Sequence, residues 1–283
     1  MFNYTIYQND CVQQLNSLAA NQYDVIFIDP PYNTGNTKNR AVTYDRNMDF
    51  AKKNRVNFHA DWDTIDNYYA WCMEWLTLSR NILAPKGTIY VCASFHCSPD
   101  IGMALRNLDY YVNTKIAWCL PNAFPNLSMT SQVKANQDIW MARLGKKHTS
   151  WYDKEAAKRY NDGKNLRDYW LLNNDTQAGK RWKHPSKKPQ ALVYRALDIA
   201  TPKDRPLRIL DYFAGSGTTG LAAAQLSATY GIDVTCDLVE RDTGYCAMIE
   251  ERINEYCREE NISCSVSRIL SRSDEQAHSA TMG

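Results

Sequence analysis

Asp29 closes the apolar run Val25-Ile26-Phe27-Ile28 and is followed at once by Pro30, Pro31 and Tyr32. Paired prolines fix two φ angles and present carbonyls with no N–H donors of their own. A carboxylate beside a rigid carbonyl is a double acceptor, suited to an exocyclic amino group. Tyr32 adds a flat face on which a base stacks. The same four residues also make a capped strand end with a solvated acid and a turn. From these residues alone both readings stand.

A second cluster lies far away in sequence. Gly215, Gly217 and Gly220 form G-x-G-x-x-G in "ILDYFAGSGTTGLAAA". Between a strand and a helix, such glycines let the backbone approach a ligand closely, and the helix start offers N–H groups to it. No Lys follows at G-K-[ST] spacing, which excludes a P-loop. An acid for ribose hydroxyls is expected roughly 20 residues on. Glu240 and Asp233, 25 and 18 residues after Gly215, both qualify, and either NAD or S-adenosylmethionine fits.

The elements that must carry these residues alternate. Strands are expected at "YTIYQ", "DVIFID", "TIYVCAS", "VNTKIAWCL", "DIWMARLG", "LRILDYF" and "CDLVE". Helices are expected at "CVQQLNSLAA", "IDNYYAWCMEWLTLSRNIL", "SPDIGMALRNLDY", "KPQALVYRALDIAT", "LAAAQLSATY" and "DTGYCAMIEERINEYCREE". Alternation of this kind predicts an α/β fold, a mostly parallel sheet with helices on both faces. Ligands of such sheets bind at the carboxyl ends of the strands, where Asp29 and the glycines both fall. The polar stretch from about 33 to 64 lacks a sustained period and reads as a long functional loop, a lid over the site.

Charge divides the chain further. Residues 121–190 hold 14 Lys and Arg against 6 Asp and Glu, a local +8, which leaves 19 against 25 elsewhere. Aromatic side chains, Trp151, Tyr152, Tyr160 and Trp182, interleave with these cations. Nucleic-acid surfaces have this composition, although a charge run by itself is more often a solvated face. The nine cysteines include no C-x-x-C pair, and His96 beside Cys97 has no second ligand pair. Reduced thiols in a cytoplasmic protein, with no metal, are expected. No apolar run reaches the roughly 18 residues that span a bilayer.

"DPPY" with its following "NTG", together with "LDYFAGSGTT" and "HPSKKPQAL", resembles the amino-group DNA methyltransferases. The order of catalytic motif, basic insert, then Lys-Pro and glycine motifs is that of their beta group. The resemblance implies a seven-stranded methyltransferase sheet, S-adenosyl-L-methionine as cofactor, and double-stranded DNA as substrate, and it allows a homodimer. It divides the chain into a catalytic part at 1–120, a target-recognition insert at 121–185, a cofactor-binding part at 186–270 and a disordered tail at 271–283.

It also implies roles residue by residue. Asp29, Pro30, Pro31 and Tyr32 hold the target base, and Phe213, Gly215, Gly217 and Thr218 line the methionine end of the cofactor. Asp211 lies near its amino group, Glu240 holds the ribose hydroxyls, Asp10 sits near the adenine, and Lys188 packs alongside with Pro189. Tyr212 and Asn9 depart from the family's proline and glycine, and "GIDVTCD" stands as an extra segment before "LVE". Members with Asp in the first motif mostly methylate adenine N6, whereas cytosine-N4 enzymes more often carry Ser there. The competing expectations are a cytosine-N4 enzyme, a non-catalytic nucleic-acid-binding module, and an NAD oxidoreductase. With 283 residues, the chain is expected to lack a nuclease or translocation motor of its own.

Overall fold

The computed structural model describes residues 1–33, 65–123, 129–175 and 187–270. The expected lid at 33–64 and the expected disordered tail therefore lie, but for residue 33, outside the described residues.

Among the described residues one sheet organises everything. Its strands are β1 (Phe2–Gln8), β2 (Tyr23–Ile28), β3 (Leu83–Ala93), β4 (Tyr110–Cys119), β5 (Asn136–Leu144), β6 (Tyr169–Leu171), β7 (Leu207–Asp211), β8 (Val234–Glu240) and β9 (Cys264–Leu270). The spatial order is β6-β4-β5-β3-β2-β7-β8-β1-β9. Every neighbouring pair is parallel except those made by β5, which runs antiparallel to both β3 and β4.

The sheet thus has nine strands where seven were expected. The seven from β4 to β1 form its body, and β6 and β9 are added at the two edges. Neither edge strand announces itself in sequence. β6 is three residues long inside the basic stretch, and β9 leaves most of its residues exposed, so no buried face imposes alternation. β5 falls inside 121–185 yet pairs along β3, so that stretch is not separate from the sheet. At the other end, "GIDVTCD" is not an extra segment, since from Val234 onward it is the first half of β8.

Helices cover both faces. On one lie α1 (Cys11–Ser17), α2 (Tyr68–Ile82) and α3 (Ser98–Asn107). On the other lie α5 (Gln190–Ala200), α6 (Thr218–Tyr230) and α7 (Thr243–Glu259). A further helix, α4 (Lys154–Arg159), belongs to the basic stretch. β2 is buried along its whole length, as a strand covered on both faces must be. Val25 and Phe27 enter one core and Ile26 and Ile28 the other, the period-2 alternation of a strand. Asp198, 1% exposed, ties the basic stretch down: it accepts from Arg159 at 3.0 Å, Tyr160 at 2.8 Å and Tyr230 at 2.6 Å.

The chain leaves β2 toward β3 on one side and leaves β7 toward β8 on the other, while β2 and β7 are parallel neighbours. Connections diverge there, which opens a crevice beyond the carboxyl ends of both strands, the place where α/β sheets bind ligands. Asp29 follows β2 and Asp211 ends β7, so each stands at this crevice.

Candidate active site

A cavity of ≈460 Å³ occupies the crevice. One wall is the turn after β7. Gly215 has φ +49° and Gly217 φ +73°, left-handed values that cost a side chain energy and suit glycine. A Cβ on Gly217 would also come within 3.0 Å of Ile249 on α7. Gly217 is the N-cap of α6, so the first turn of that helix faces the cavity through Thr218. From behind, the buried guanidinium of Arg252 donates to the Ser216 carbonyl at 2.5 Å.

Glu240, at the end of β8, adjoins this turn in the cavity lining. Its Oε2 accepts from Gly215 N at 3.0 Å and its Oε1 from Asp242 N at 2.9 Å. Burial raises its pKa, and these two donors oppose that rise. Asp233 stands at the other end of the strand, 65% exposed and paired with the amino terminus at 2.7 Å. The structure therefore brings Glu240, and not Asp233, to the cavity.

Asp211 forms the floor. It accepts from Thr219 Oγ1 at 2.6 Å and Phe213 N at 3.0 Å. Burial pushes its carboxyl up to about 7, against the pull of those donors. Phe213 packs between Trp71 and Trp75, at centroid distances of 5.6 and 5.9 Å. Tyr212, where the family carries proline, turns into the core and pairs its hydroxyl with Ser79 at 2.8 Å. Asp10 lines the rim while capping α1, accepting from Val12 N and Gln13 N at 2.9 and 3.2 Å.

Asp29 and Pro31 complete the lining, with Pro30 buried between them. The Asp29 carboxylate accepts from Tyr32 at 2.7 Å through Oδ1, and Lys188 Nζ bonds Oδ2. Lys188 also donates to the Tyr32 hydroxyl at 2.7 Å and lies 5.1 Å from the centre of its ring. Gln137 Oε1 is 3.0 Å from the same hydroxyl. Burial, and then the Asp29 charge, raise the Tyr32 pKa, so the phenol stays a neutral donor. Tyr32 accordingly points its hydroxyl at Asp29, with Lys188 against the ring.

Of the residues expected at the site, Asp10, Asp29, Pro31, Lys188, Asp211, Phe213, Gly215, Thr218 and Glu240 line the cavity, whereas Pro30, Tyr32 and Gly217 adjoin these without lining it; Lys188 also bonds Asp29. Sequence reasoning missed several others. Tyr68, at the start of α2, donates to the Pro31 carbonyl at 2.7 Å and pins the proline pair. Its aromatic run reads only as an apolar helix face. Gln137 on β5 and Arg252 on α7 carry no local signal, whereas Thr219 follows Thr218 and belonged to the quoted motif. Asn33, with φ +48°, bonds Ile65 in both directions, Ile65 N to Oδ1 at 2.8 Å and Nδ2 to Ile65 O at 3.3 Å. Asn33 and Ile65, the described residues on either side of 34–64, therefore meet, and Ile65 lines the cavity. Among the described residues no group of three or more His, Cys, Asp or Glu could hold a metal, and no helix is long and apolar enough to cross a membrane.

This sheet, with a glycine turn after β7 hydrogen-bonded to an acid at the end of β8, is that of the S-adenosylmethionine-dependent methyltransferases. Residues 23–251 match the model of the family described as DNA methylase, which joins N6 and N4 enzymes. The chain belongs to this family. It is 32% identical over 243 residues to the type II methyltransferase M2.LlaDCHI of Lactococcus lactis subsp. cremoris, covering 82% of this chain and 84% of that one. It is 32% identical over 237 residues to M2.DpnII of Streptococcus pneumoniae, covering 80% and 82%. Among solved structures, the M1.HpyAVI–SAM complex aligns with a TM-score of 0.60 at 22% identity, over 89% of this chain and 99% of that one. The cytosine-N4-specific PvuII DNA methyltransferase aligns at 0.63 and 15% identity, over 93% and 96%.

The protein is thus a DNA methyltransferase that uses S-adenosylmethionine, and the residues present fit that cofactor. The cavity volume lies within the range of small-molecule sites, about 300–1,000 Å³. Buried carboxylates suit hydroxyl and ammonium groups, and Trp71 and Phe213 give apolar cover.

Proposed function

We propose that the protein methylates the N6 amino group of adenine in double-stranded DNA, after turning the base out of the helix. One observation carries the reading: Asp29, a carboxylate and not a serine, stands on the rim of the same cavity as Asp211 and Glu240. The relatives named as type II methyltransferases support it.

Bound S-adenosylmethionine supplies an electrophilic methyl group on a sulfonium. The chain's own residues do the rest. The amino nitrogen of adenine is a weak nucleophile because its lone pair is conjugated with the ring. Asp29 and the Pro30 carbonyl accept its two hydrogens and turn that lone pair out of conjugation. Tyr68 engages the Pro31 carbonyl and so holds the proline pair in place. As the nitrogen becomes cationic, the fixed charge of Asp29 stabilises it without having to remove a proton first. Asp211 meets the cofactor's ammonium group, Glu240 its ribose hydroxyls, and Asp10 lies near its adenine. Phe213, Gly215, Gly217 and Thr218 enclose the methionine end.

Extruding a base costs a few kcal/mol of stacking and pairing. The cations between residues 121 and 185, several exposed on the described part, supply phosphate contacts to offset it. Action in the cytoplasm, where the DNA substrate lies, and assembly as a homodimer complete this reading, and sedimentation equilibrium tests the latter. The deciding experiment supplies unmethylated DNA and labelled S-adenosylmethionine, then identifies the modified nucleoside. N6-methyladenine is expected. N4-methylcytosine would overturn the assignment of the base, and no transfer to DNA would overturn the function.

A further inference from the structure

Both oxygens of Asp29 are engaged from within the protein, Oδ1 by Tyr32 and Oδ2 by Lys188. The ion pair is shielded, with Asp29 16% and Lys188 6% exposed. A cation in this place opposes the duty given to Asp29, since it offsets the charge that must stabilise a cationic nitrogen. It also sits where an amino group has to enter. The lysine must therefore have somewhere else to go.

The cavity supplies a destination. Among its described lining residues are five carboxylates, Asp10, Asp29, Asp211, Glu240 and Asp242, and two cations, Lys188 and Arg241. Arg241 lies between Glu240 and Asp242 in sequence, at the end of β8, the side given to the ribose. The amino-acid end of the cofactor carries a carboxylate besides its ammonium group, and on the Asp29 side the only cation among the described lining residues is Lys188. Its flexible four-carbon stem allows the ammonium to change partners. Exchange of one carboxylate for another keeps the buried cation paired throughout, whereas simple loss of a partner is costly.

We infer that Lys188 is a positioning residue that holds Asp29 until the cofactor binds and then passes to the cofactor's carboxylate. Asp29 is thereby released for the target amino group only in the loaded enzyme, which sets an order of cofactor first and base second. The inference rests on the reading of this cavity as the S-adenosylmethionine site.

Calorimetric titration of the full chain tests it with two ligands, S-adenosylmethionine and its decarboxylated analogue. In Asp29→Asn the lysine has no anion to leave, so S-adenosylmethionine binds at least about threefold more tightly than to the wild type. The decarboxylated analogue binds that variant and the wild type alike. In Lys188→Met, affinity for S-adenosylmethionine falls about tenfold or more, and affinity for the analogue does not fall. An unchanged or weaker affinity of Asp29→Asn for S-adenosylmethionine would overturn the exchange. Equal losses of both ligands in Lys188→Met would overturn it too. The isosteric Asp29→Asn decides the matter by itself where Lys188→Met fails to fold. If the wild type binds neither ligand, the site reading itself falls, and the exchange with it.

Discussion

With Asp211 in the proposed role of partner to the cofactor's ammonium group, cofactor binding should depend on pH in a way that follows from its burial. It is 4% exposed, and burial raises its pKa from 3.8 to about 7. That displacement is about 4 kcal/mol of preference for the neutral carboxyl. An acid raised in the folded state binds more protons there than in the unfolded chain. Its contribution to stability therefore falls as pH rises from about 4 to about 7, and then levels off. The ammonium group of the cofactor requires the ionised form. Binding below pH 7 must then release a proton, and affinity should rise by up to about tenfold per pH unit from pH 5 to 7. Calorimetry in buffers of different ionisation enthalpy counts that proton directly. In Asp211→Asn the slope should vanish, and affinity at pH 7.5 should drop by about 1.5–3 kcal/mol through loss of a charged hydrogen bond. The unliganded variant should gain stability over the wild type at pH 8 and little at pH 4. A wild-type affinity that is flat or falls between pH 5 and 7, or a slope retained in Asp211→Asn, would refute the argument.

Other substitutions probe the remaining parts. Asp29→Ala should lower methyl transfer by about 10³-fold while cofactor binding, measured by calorimetry, survives; full activity would remove Asp29 from the mechanism. Tyr68→Phe releases the Pro31 carbonyl and should cost about 1 kcal/mol of stability, with kcat lowered and cofactor affinity unchanged in single-turnover and binding assays. Gly217→Ala meets both φ +73° and the Ile249 side chain, and thermal unfolding should show a loss of about 1–2 kcal/mol. Lys146→Glu with Lys147→Glu, two exposed positions, should weaken binding to any duplex and reduce the salt slope of log affinity by about 2.

Much of the architecture is legible before any coordinates. Short apolar stretches place β2, β7 and β8 close to where they lie, because strands covered on both faces are largely buried along their length. The failures occur where burial is partial. β9 lies at an edge with most of its residues exposed, and β6 spans only three, so neither imprints a pattern on the chain. Pro85 and Gly87 read as a break after α2, yet β3 already begins at Leu83. The pairing passes from Tyr23↔Leu83 to Val25↔Thr88, a bulge that accommodates the proline.

What the sequence determined by itself is the inventory: an acid before two prolines, a glycine turn between strand and helix, a basic stretch between them, and an order that marks the family. The residues by themselves left Glu240 and Asp233 open and only the resemblance favoured Glu240; the tertiary structure places Glu240 and not Asp233 at the cavity, because it decides which end of β8 faces the crevice. It alone set Lys188 on Asp29, 159 residues away, Gln137 beside Tyr32 and Tyr68 on the Pro31 carbonyl. Local periodicity reports burial along one element. Contacts between elements are decided by strand order, which brings β2 and β7 side by side and with them the residues that do the chemistry.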